Sequence, residues 1–320
     1  MTTFVSSDVG VVRRTGSRVD RTVTWLVMAL AALSTGSAAA GLLVGGGEGR
    51  RVVDTVRDVP ATLYGEGLYE LDTVLVGVGT RGQDAAMLVA GVPVLLLALR
   101  WYRTGHPVAP PVLAGVLAFF TYVDVSLTFG NAQNRLFPAY VVGASIAGFA
   151  LVRVATRLDT ETVATLLPDE PRTTTLQIYL LGVAGALTLA WLPEVVAGAM
   201  GTDIASSVGP YTSQMTHALD LGLVVPVAVI AALLLHRGAA RGMVLTLVML
   251  VLNVCIGVLL MAQGMAQLLS DVPLTTGEVV GKMLTFVALT LIAGGLLARM
   301  VRAARRTNSG HATWPSPRGR

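Results

Sequence analysis

The chain has 320 residues, of which 53% are hydrophobic and only 13% are charged, with a formal net charge of +4. A soluble domain is about one-quarter charged, so this composition excludes an ordinary globular protein. Several apolar segments approach or exceed the roughly 18–20 residues that a helix needs to cross a bilayer, and we predict an integral membrane protein.

The basic residues stand in short groups between the apolar segments. This distribution is typical of membrane topology signals and argues against nucleic-acid binding. Cys255 is the only cysteine, so the chain has neither an intrachain disulfide nor a Cys-x-x-Cys redox or zinc motif. The partner expected from composition alone is the lipid bilayer.

Eight apolar segments are predicted to be transmembrane helices, which gives an all-α polytopic bundle. They cover residues 23–44, 84–99, 112–130, 137–154, 176–200, 216–235, 243–269 and 278–300. Pro226 lies inside the sixth segment and predicts a kink. The first segment is alternatively a cleaved signal sequence, which would leave seven helices, but its spanning length favours an uncleaved anchor.

The polar intervals divide the rest of the chain. Residues 1–21 form an N-terminal segment, residues 22–304 the helical bundle and residues 305–320 a basic tail. The interval 45–82 is long and carries both charges, which predicts a functional loop or lid. Within it, Gly77-Val-Gly79-Thr-Arg-Gly82 matches a GxGxxG pattern, but no βαβ unit surrounds it, so we interpret it as a flexible turn before the second helix.

Arginines divide the loops into two sets, because successive helices place successive loops on opposite sides of a membrane. The richer set contains Arg13, Arg14, Arg18, Arg21, Arg100, Arg103, Arg153, Arg157, Arg172, Arg237, Arg241 and the arginines of the C-terminal tail. By the positive-inside rule this side is the cytoplasm. Both termini are therefore predicted to be cytoplasmic, with the loop 45–82 outside the cell.

The third helix carries a carboxylate inside its apolar segment. Thr121, Asp124, Thr128 and Asn131 share one helical face, at i, i+3, i+7 and i+10. A charged carboxylate in hydrocarbon is costly unless it is paired, protonated or hydrated, so this face is expected to look into the bundle or a cavity.

Other polar residues gather on the same extracytoplasmic side. We predict that an outward-facing ligand-binding vestibule is formed by Asp84, Asp124, Asn131, Arg135, His217, Asp220 and Gln263. The loop that would cover it contributes Tyr69, Asp72 and Arg81.

Two of these assignments have structural alternatives. Asp124 would alternatively form a buried ion pair with Arg135 or Arg81 that fixes helix packing. His217 with Asp220 suits a metal pair or a proton relay, whereas a single hydrogen-bonded histidine is the structural interpretation.

Templates for metals and catalysis are mostly missing from the sequence. His217 is the only extracytoplasmic histidine, which is too few for a several-histidine zinc hydrolase or a bis-histidine haem. No GxSxG, HExxH or P-loop motif occurs. We predict no metal, no cofactor and no catalytic residue, although a carboxylate-rich metal site stays open as an unspecific alternative.

Three stretches carry a resemblance. Gly67-Leu-Tyr69-Glu-Leu-Asp72 leading to Arg81-Gly-Gln83-Asp84, the stretch 122–134, and His217-Ala-Leu-Asp220-Leu resemble a group of uncharacterised bacterial multi-pass membrane proteins. The resemblance covers most of the chain and carries no known activity. It implies that these segments belong to one site. We expect the protein in the bacterial inner (plasma) membrane.

Three functions follow from this pattern. The first is ligand binding or sensing, or a role as a subunit of a membrane complex, with an extracytoplasmic small ligand or membrane protein as partner. The second is a transporter or proton-coupled permease. Against it, the cytoplasmic half is nearly all apolar and no clear internal repeat is visible. An extracytoplasmic membrane enzyme comes third, because no nucleophile stands out.

Overall fold

The structure, a computed structural model, describes residues 20–55, 58–167, 172–201, 210–270 and 276–311. Over these ranges it contains eight helices that are long and apolar enough to cross a membrane, which confirms the predicted all-α polytopic bundle. We call them the first to eighth spans. Their bounds are Arg21–Leu43, Val74–Arg103, Ala109–Gly130, Phe137–Ala155, Thr173–Ala199, Met215–His236, Ala240–Leu268 and Leu284–Arg306.

The connections between spans fall at two ends of the bundle, because successive spans alternate in direction. The loop end carries residues 44–73, 131–136 and 210–214. The other end, called the arginine end, carries residues 104–108, 156–159 and 237–239. A short helix, Thr160–Thr165, follows the second of these connections. The predicted N-terminal segment lies outside the described residues up to residue 19, and the last helix continues to His311, into the segment predicted as a tail.

At the arginine end, Asp20 joins the first and fourth spans. Its Oδ1 accepts a hydrogen bond from the Thr22 amide at 2.9 Å and caps the first span. Its Oδ2 lies 2.7 Å from Arg153 Nε and 2.8 Å from Arg157. Burial alone would raise the pKa of Asp20, but these hydrogen bonds and the two guanidinium charges hold it below its ordinary value.

The second span begins at Val74 rather than at residue 84, so the predicted loop boundary is wrong. Thr73 starts the helix, because its side-chain oxygen accepts a hydrogen bond from the Val76 amide at 3.3 Å. The first turns are polar and glycine-rich because they face the seventh span instead of lipid. At Gly82, a Cβ would lie 2.6 Å from the Ala262 carbonyl oxygen. The GxGxxG pattern is therefore a helix-packing surface and not a flexible turn.

Residues 44–55 and 58–73 form a folded cap at the loop end. Strands β1 (Arg51–Asp54) and β2 (Pro60–Leu63) pair antiparallel, and a 3-10 turn, Gly67–Tyr69, follows. Gly65 has φ of 75°, and a side chain there would overlap the Gly49 carbonyl, so only glycine fits this close approach. The cap is packed through a small apolar cluster of Tyr64, Tyr69, Val74 and Val78.

The third and seventh spans form the centre of the bundle. More than half of each apolar window is buried, at 56%, whereas the fifth span's window is only 22% buried. Large apolar side chains on the outer spans, such as Val89, Phe149 and Leu189, are exposed, as lipid-facing residues are.

The second and sixth spans share the same interrupted geometry. Each contains a five-residue π-helical turn, Met87–Gly91 or Asp220–Val224, followed by a twelve-residue α-helix that begins Val-Pro-Val. Each helix ends just before a glycine of positive φ, 74° at Gly105 and 65° at Gly238. Proline has no amide hydrogen to donate, and the wide turn before it accommodates this missing hydrogen bond. The sequence predicts an irregularity at Pro226 in the sixth span, and the second span has the same one.

Contacts between the two halves of the chain also come in matched pairs. Asp220 follows Met87 by 133 residues, and the same shift carries Gly115 to Val248. These two counterparts touch, since a Cβ on Gly115 would lie 2.8 Å from the Val248 carbonyl oxygen. The shift carries Gly82, which packs on Ala262, to Met215, and the Met215 side chain would lie 3.3 Å from a Cβ on Gly130. The counterpart of Ala262 under this shift is Phe129, the neighbour of Gly130, so the contacts of the second and third spans in the first four-span half resemble those of the sixth and seventh spans in the second half.

Candidate functional site

Four carboxyl side chains are buried in the half of the bundle nearest the loop end. Asp72, Asp84, Asp124 and Asp220 are between 1% and 8% exposed. A buried carboxyl needs hydrogen-bond donors, a cation or a proton, so the partners of each one define what it can do.

Asp84 is held by the cap. Tyr69 donates a hydrogen bond to Asp84 Oδ2 at 2.6 Å, and its hydroxyl oxygen lies 3.5 Å from that of Tyr140 in the fourth span. Burial and the neighbouring carboxyl raise the pKa of Tyr69 well above its ordinary value, so Tyr69 is a hydrogen-bond donor at neutral pH. Gly41 of the first span leaves the space for this contact, because a Cβ there would overlap Asp84 Oδ2.

Asp72 ties three segments of the loop end together. Its Oδ1 accepts hydrogen bonds from the Ala132 amide at 2.7 Å and from the Tyr211 hydroxyl at 2.9 Å. Its Oδ2 accepts from Asn131 Nδ2 at 3.3 Å, and Asn131 also donates to Thr80 at 3.0 Å. Burial raises the pKa of Asp72 to about 6 in spite of these donors.

Asp220 opens the π-helical turn of the sixth span and accepts two aromatic donors. Tyr122 donates to Oδ1 at 3.0 Å and the Trp191 indole donates to Oδ2 at 2.8 Å. His217, one turn earlier, packs edge-on against Trp191 with ring centroids 4.4 Å apart, and its Nε2 lies 3.3 Å from Glu194. The predicted His217–Asp220 pair is thus bridged by Trp191.

Asp124 has the poorest surroundings of the four. Its Oδ2 is buried and has no hydrogen-bond partner among the described residues. It lies against Gly143 of the fourth span, where a Cβ would be 2.5 Å from Oδ2. Small residues facing a polar side chain are common where membrane helices approach closely.

The alternative ion pairs of Asp124 do not form. Arg135 is exposed in the turn before the fourth span. Arg81 instead donates to the Tyr64 hydroxyl at 3.0 Å and to the Leu42 carbonyl at 3.2 Å, and lies 3.7 Å from Glu66. Arg81 therefore fixes the cap to the first span.

Gln263 of the seventh span links the two halves of the bundle by contacting Gln83 of the second span. Its Nε2 donates to Gln83 Oε1 at 2.7 Å, while Gln83 Nε2 is buried and has no hydrogen-bond partner within the described part of the chain. Among the residues that the structure describes, no three His, Cys, Asp or Glu side chains are grouped closely enough to hold a metal ion.

The predicted site residues take part in several separate contacts. Asp84 pairs with Tyr69, Asp72 with Asn131, Gln263 with Gln83 and Asp220 with two aromatic donors, while Arg135 stays outside these contacts. Their role in binding stays a prediction. Sequence reasoning missed the donors Tyr122, Tyr140, Trp191 and Tyr211, since aromatic residues near a membrane interface carry no distinguishing signal for hydrogen bonding.

The fold and these contacts define a polytopic α-helical membrane protein that crosses a bilayer and holds carboxyl groups inside it. Comparison of the chain with protein-family models, with curated proteins and with solved structures finds no match. The segments that carry the resemblance described above do contact one another, through Tyr69–Asp84, Asp72–Asn131 and Tyr122–Asp220. The family itself stays a prediction.

Proposed function

We propose that this chain is a proton-coupled permease whose coupling groups are the carboxyls of Asp84, Asp124 and Asp220. One observation carries the proposal: the three lie buried within spans, and none forms an ion pair with an arginine among the described residues. A carboxyl inside a membrane without a cationic partner is stable when it holds a proton or a cation, and such groups are typical of proton pathways.

Asp124 is the group best suited to exchange its proton. Asp84 and Asp220 accept strong hydrogen bonds from tyrosine and tryptophan, whereas Asp124 Oδ2 accepts none among the described residues. Ser126 Oγ and Gln83 Nε2 are further buried polar atoms without a described partner in the same half of the bundle. Buried atoms of this kind are where water or a polar ligand is expected.

The two interrupted spans support a transport function. Transporters built from two repeats bind substrate near the repeat interface, next to discontinuous helices in corresponding positions of the halves. Met87–Gly91 and Asp220–Val224 occupy such positions, and Asp84 and Asp220 lie beside or within them. The halves have the same orientation in the membrane, since the second and sixth spans run in the same direction.

The interior of the bundle near the arginine end is apolar, which fits a state that is closed on that side. Leu95, Leu113, Leu247 and Leu250 are fully buried and fill the centre of the bundle toward that end. A dry apolar layer on one side and polar groups on the other are expected of a carrier that opens alternately. By the arginine distribution, we propose that the polar side is extracytoplasmic and that both termini are cytoplasmic, in a bacterial plasma membrane.

A second function, outward ligand binding or sensing, is favoured by the Asp72 contacts. The cap is held to the turn at 131–136 and to Tyr211 through one buried carboxyl. A ligand that competes for Asp72 would release both segments at once. In this alternative the cap is a lid and no solute crosses the membrane.

Infrared spectroscopy tests the proton site directly. In nanodiscs at neutral pH, we expect protonated-carboxyl bands in the wild type, one component of which is absent in Asp124→Asn and shifts within minutes of transfer to D₂O. Glu66→Gln, which removes an exposed carboxyl from the cap, is the matched control and leaves the band unchanged. If Asp124 is ionised at neutral pH, or does not exchange its proton, the permease proposal is wrong.

Transport and sensing are separated in proteoliposomes that contain a trapped pH-sensitive dye. A permease acidifies the lumen when a solute from a panel of amino acids, sugars and nucleosides is added to an acidic outside medium, and Asp124→Asn abolishes the response. A sensing protein exchanges the proton in the infrared experiment but moves none across the membrane.

A further inference from the structure

A second feature of the bundle is an apolar groove at its lipid-facing side, remote from the cap. It has a volume of about 510 Å³ and lies between the second, third, seventh and eighth spans. Its walls are formed by small and branched apolar side chains, including Ala90, Val94, Val116, Phe119, Val254 and Leu297. The volume is in the range of sites that bind small molecules, roughly 300–1,000 Å³.

One end of the groove is basic. Arg100 and Arg305 line it where the second and eighth spans reach the arginine end, together with Trp101 and Thr104. The Arg305 guanidinium lies over the Trp101 ring, 5.4 Å from its centroid. None of the described residues that line the groove is acidic, so the site has apolar walls and a positively charged mouth.

We propose that this groove binds an anionic phospholipid of the surrounding bilayer. An acyl chain would fill the apolar walls, and the headgroup phosphate would contact Arg100 and Arg305 at the mouth. Basic residues at the membrane surface attract anionic headgroups, and tryptophan is suited to the same depth of the bilayer. A neutral lipid would fill the walls equally well but would gain no attraction from the positively charged mouth.

The wall of the groove includes part of the π-helical turn. Gly91 lies in that turn and carries no side chain, and Phe119 of the third span and Leu259 of the seventh line the same groove. The bound acyl chain would therefore contact both halves of the chain. The lipid site is independent of the proposed proton coupling, because the carboxyls of Asp84, Asp124 and Asp220 do not line the groove.

Native mass spectrometry tests the lipid site with two defined lipids. The delipidated full-length protein is mixed with equal amounts of phosphatidylglycerol and phosphatidylcholine, and the retained lipid is counted. We expect the wild type to retain phosphatidylglycerol preferentially, and Arg100→Ala with Arg305→Ala to lose this preference by roughly tenfold. The matched control, Arg103→Ala with Arg302→Ala, removes the same charge from exposed residues of the same helices and leaves the preference unchanged.

A second variant tests the walls. Ala90→Phe fills the groove, and we expect it to reduce the retention of both lipids while the thermal midpoint of unfolding in detergent stays near that of the wild type. If the two double-arginine variants lost the preference for phosphatidylglycerol equally, surface charge alone would attract the lipid. If Ala90→Phe retained both lipids fully, the groove would not be the site. Asp124→Asn keeps the lipid preference, which separates this proposal from the permease proposal.

Discussion

At the scale of the residue, the partners of the buried carboxyls decide their roles. Asp220 and Asp84 accept hydrogen bonds from aromatic side chains that belong to other segments, so they join helices. A buried acceptor left without its donor costs roughly 1–3 kcal/mol. Asp124 Oδ2 lacks such a donor within the described residues, and Gly143 leaves the space that the carboxyl occupies.

The pKa of Asp72 gives a prediction about pH. Its folded pKa, about 6, is raised above the ordinary 3.8, so the folded state gains stability from this residue as the pH falls. The gain is complete below about pH 4, is lost as the pH rises through about 6, and amounts to about 3 kcal/mol. We expect thermal unfolding to show a rise in stability from about pH 7.5 to about pH 5 that is smaller in Asp72→Asn than in the wild type.

The control for Asp72 is in the same cap. Asp54→Asn removes an exposed carboxyl and is expected to keep the wild-type pH dependence. Identical pH profiles for the wild type and Asp72→Asn would contradict the assignment and would place the titrating group elsewhere.

At the scale of the element, glycines set how closely spans approach. Gly143 faces Asp124, with 2.5 Å between its missing Cβ and Oδ2, whereas a Cβ on Gly182 of the fifth span would meet nothing within 4 Å. Helix propensity alone favours alanine over glycine by up to about 1 kcal/mol. The environment of each glycine therefore decides the sign of a substitution.

We predict opposite effects for two alanine substitutions. Gly143→Ala is expected to destabilise the protein by roughly 1–3 kcal/mol, because the carboxyl or the fourth span must move. Gly182→Ala is expected to be neutral or slightly stabilising. Both are measured as thermal midpoints in the same detergent, and a neutral Gly143→Ala would show that Asp124 is not packed against the fourth span.

The second span shows why element boundaries were harder to predict than elements. Its first three turns contain Thr80, Gln83 and Asp84, which resemble a loop when polarity is the criterion. These residues are helical because they hydrogen-bond to and pack on protein instead of lipid, as Gln83 does with Gln263. Hydropathy detects lipid-facing helices and misses turns that face other helices.

At the scale of the whole molecule, the two halves meet where the third and seventh spans are closest. A Cβ on Gly115 would lie 2.6 Å from Val251 Cβ and 2.8 Å from the Val248 carbonyl oxygen. A backbone oxygen cannot rotate away as a side chain can, so the two spans would have to separate. This contact therefore holds the halves together.

The prediction at this scale is a loss of stability when that contact is widened. Gly115→Ala is expected to lower the free energy of unfolding by about 1–3 kcal/mol. Gly185→Ala, at an open position of the fifth span, serves as the control and is expected to have no cost. If both variants unfold at the wild-type temperature, the third and seventh spans are not in tight contact and the matched halves do not meet there.

The sequence by itself determined the class of protein, the number of spans and the presence of Asp124 inside one of them. These features follow from the hydrophobic effect and the thickness of a bilayer, which act on each segment separately. The positive-inside distribution and the shared face of Thr121 and Asp124 are equally local.

Only the tertiary structure decided which groups meet. Tyr69 reaches Asp84, Trp191 contacts both His217 and Asp220, and Gly115 touches Val248. Both π-helical turns precede an identical Val-Pro-Val, while four of the five residues within the turns differ. Contacts between distant segments depend on the packing of all eight spans together, and no segment's own composition contains that information.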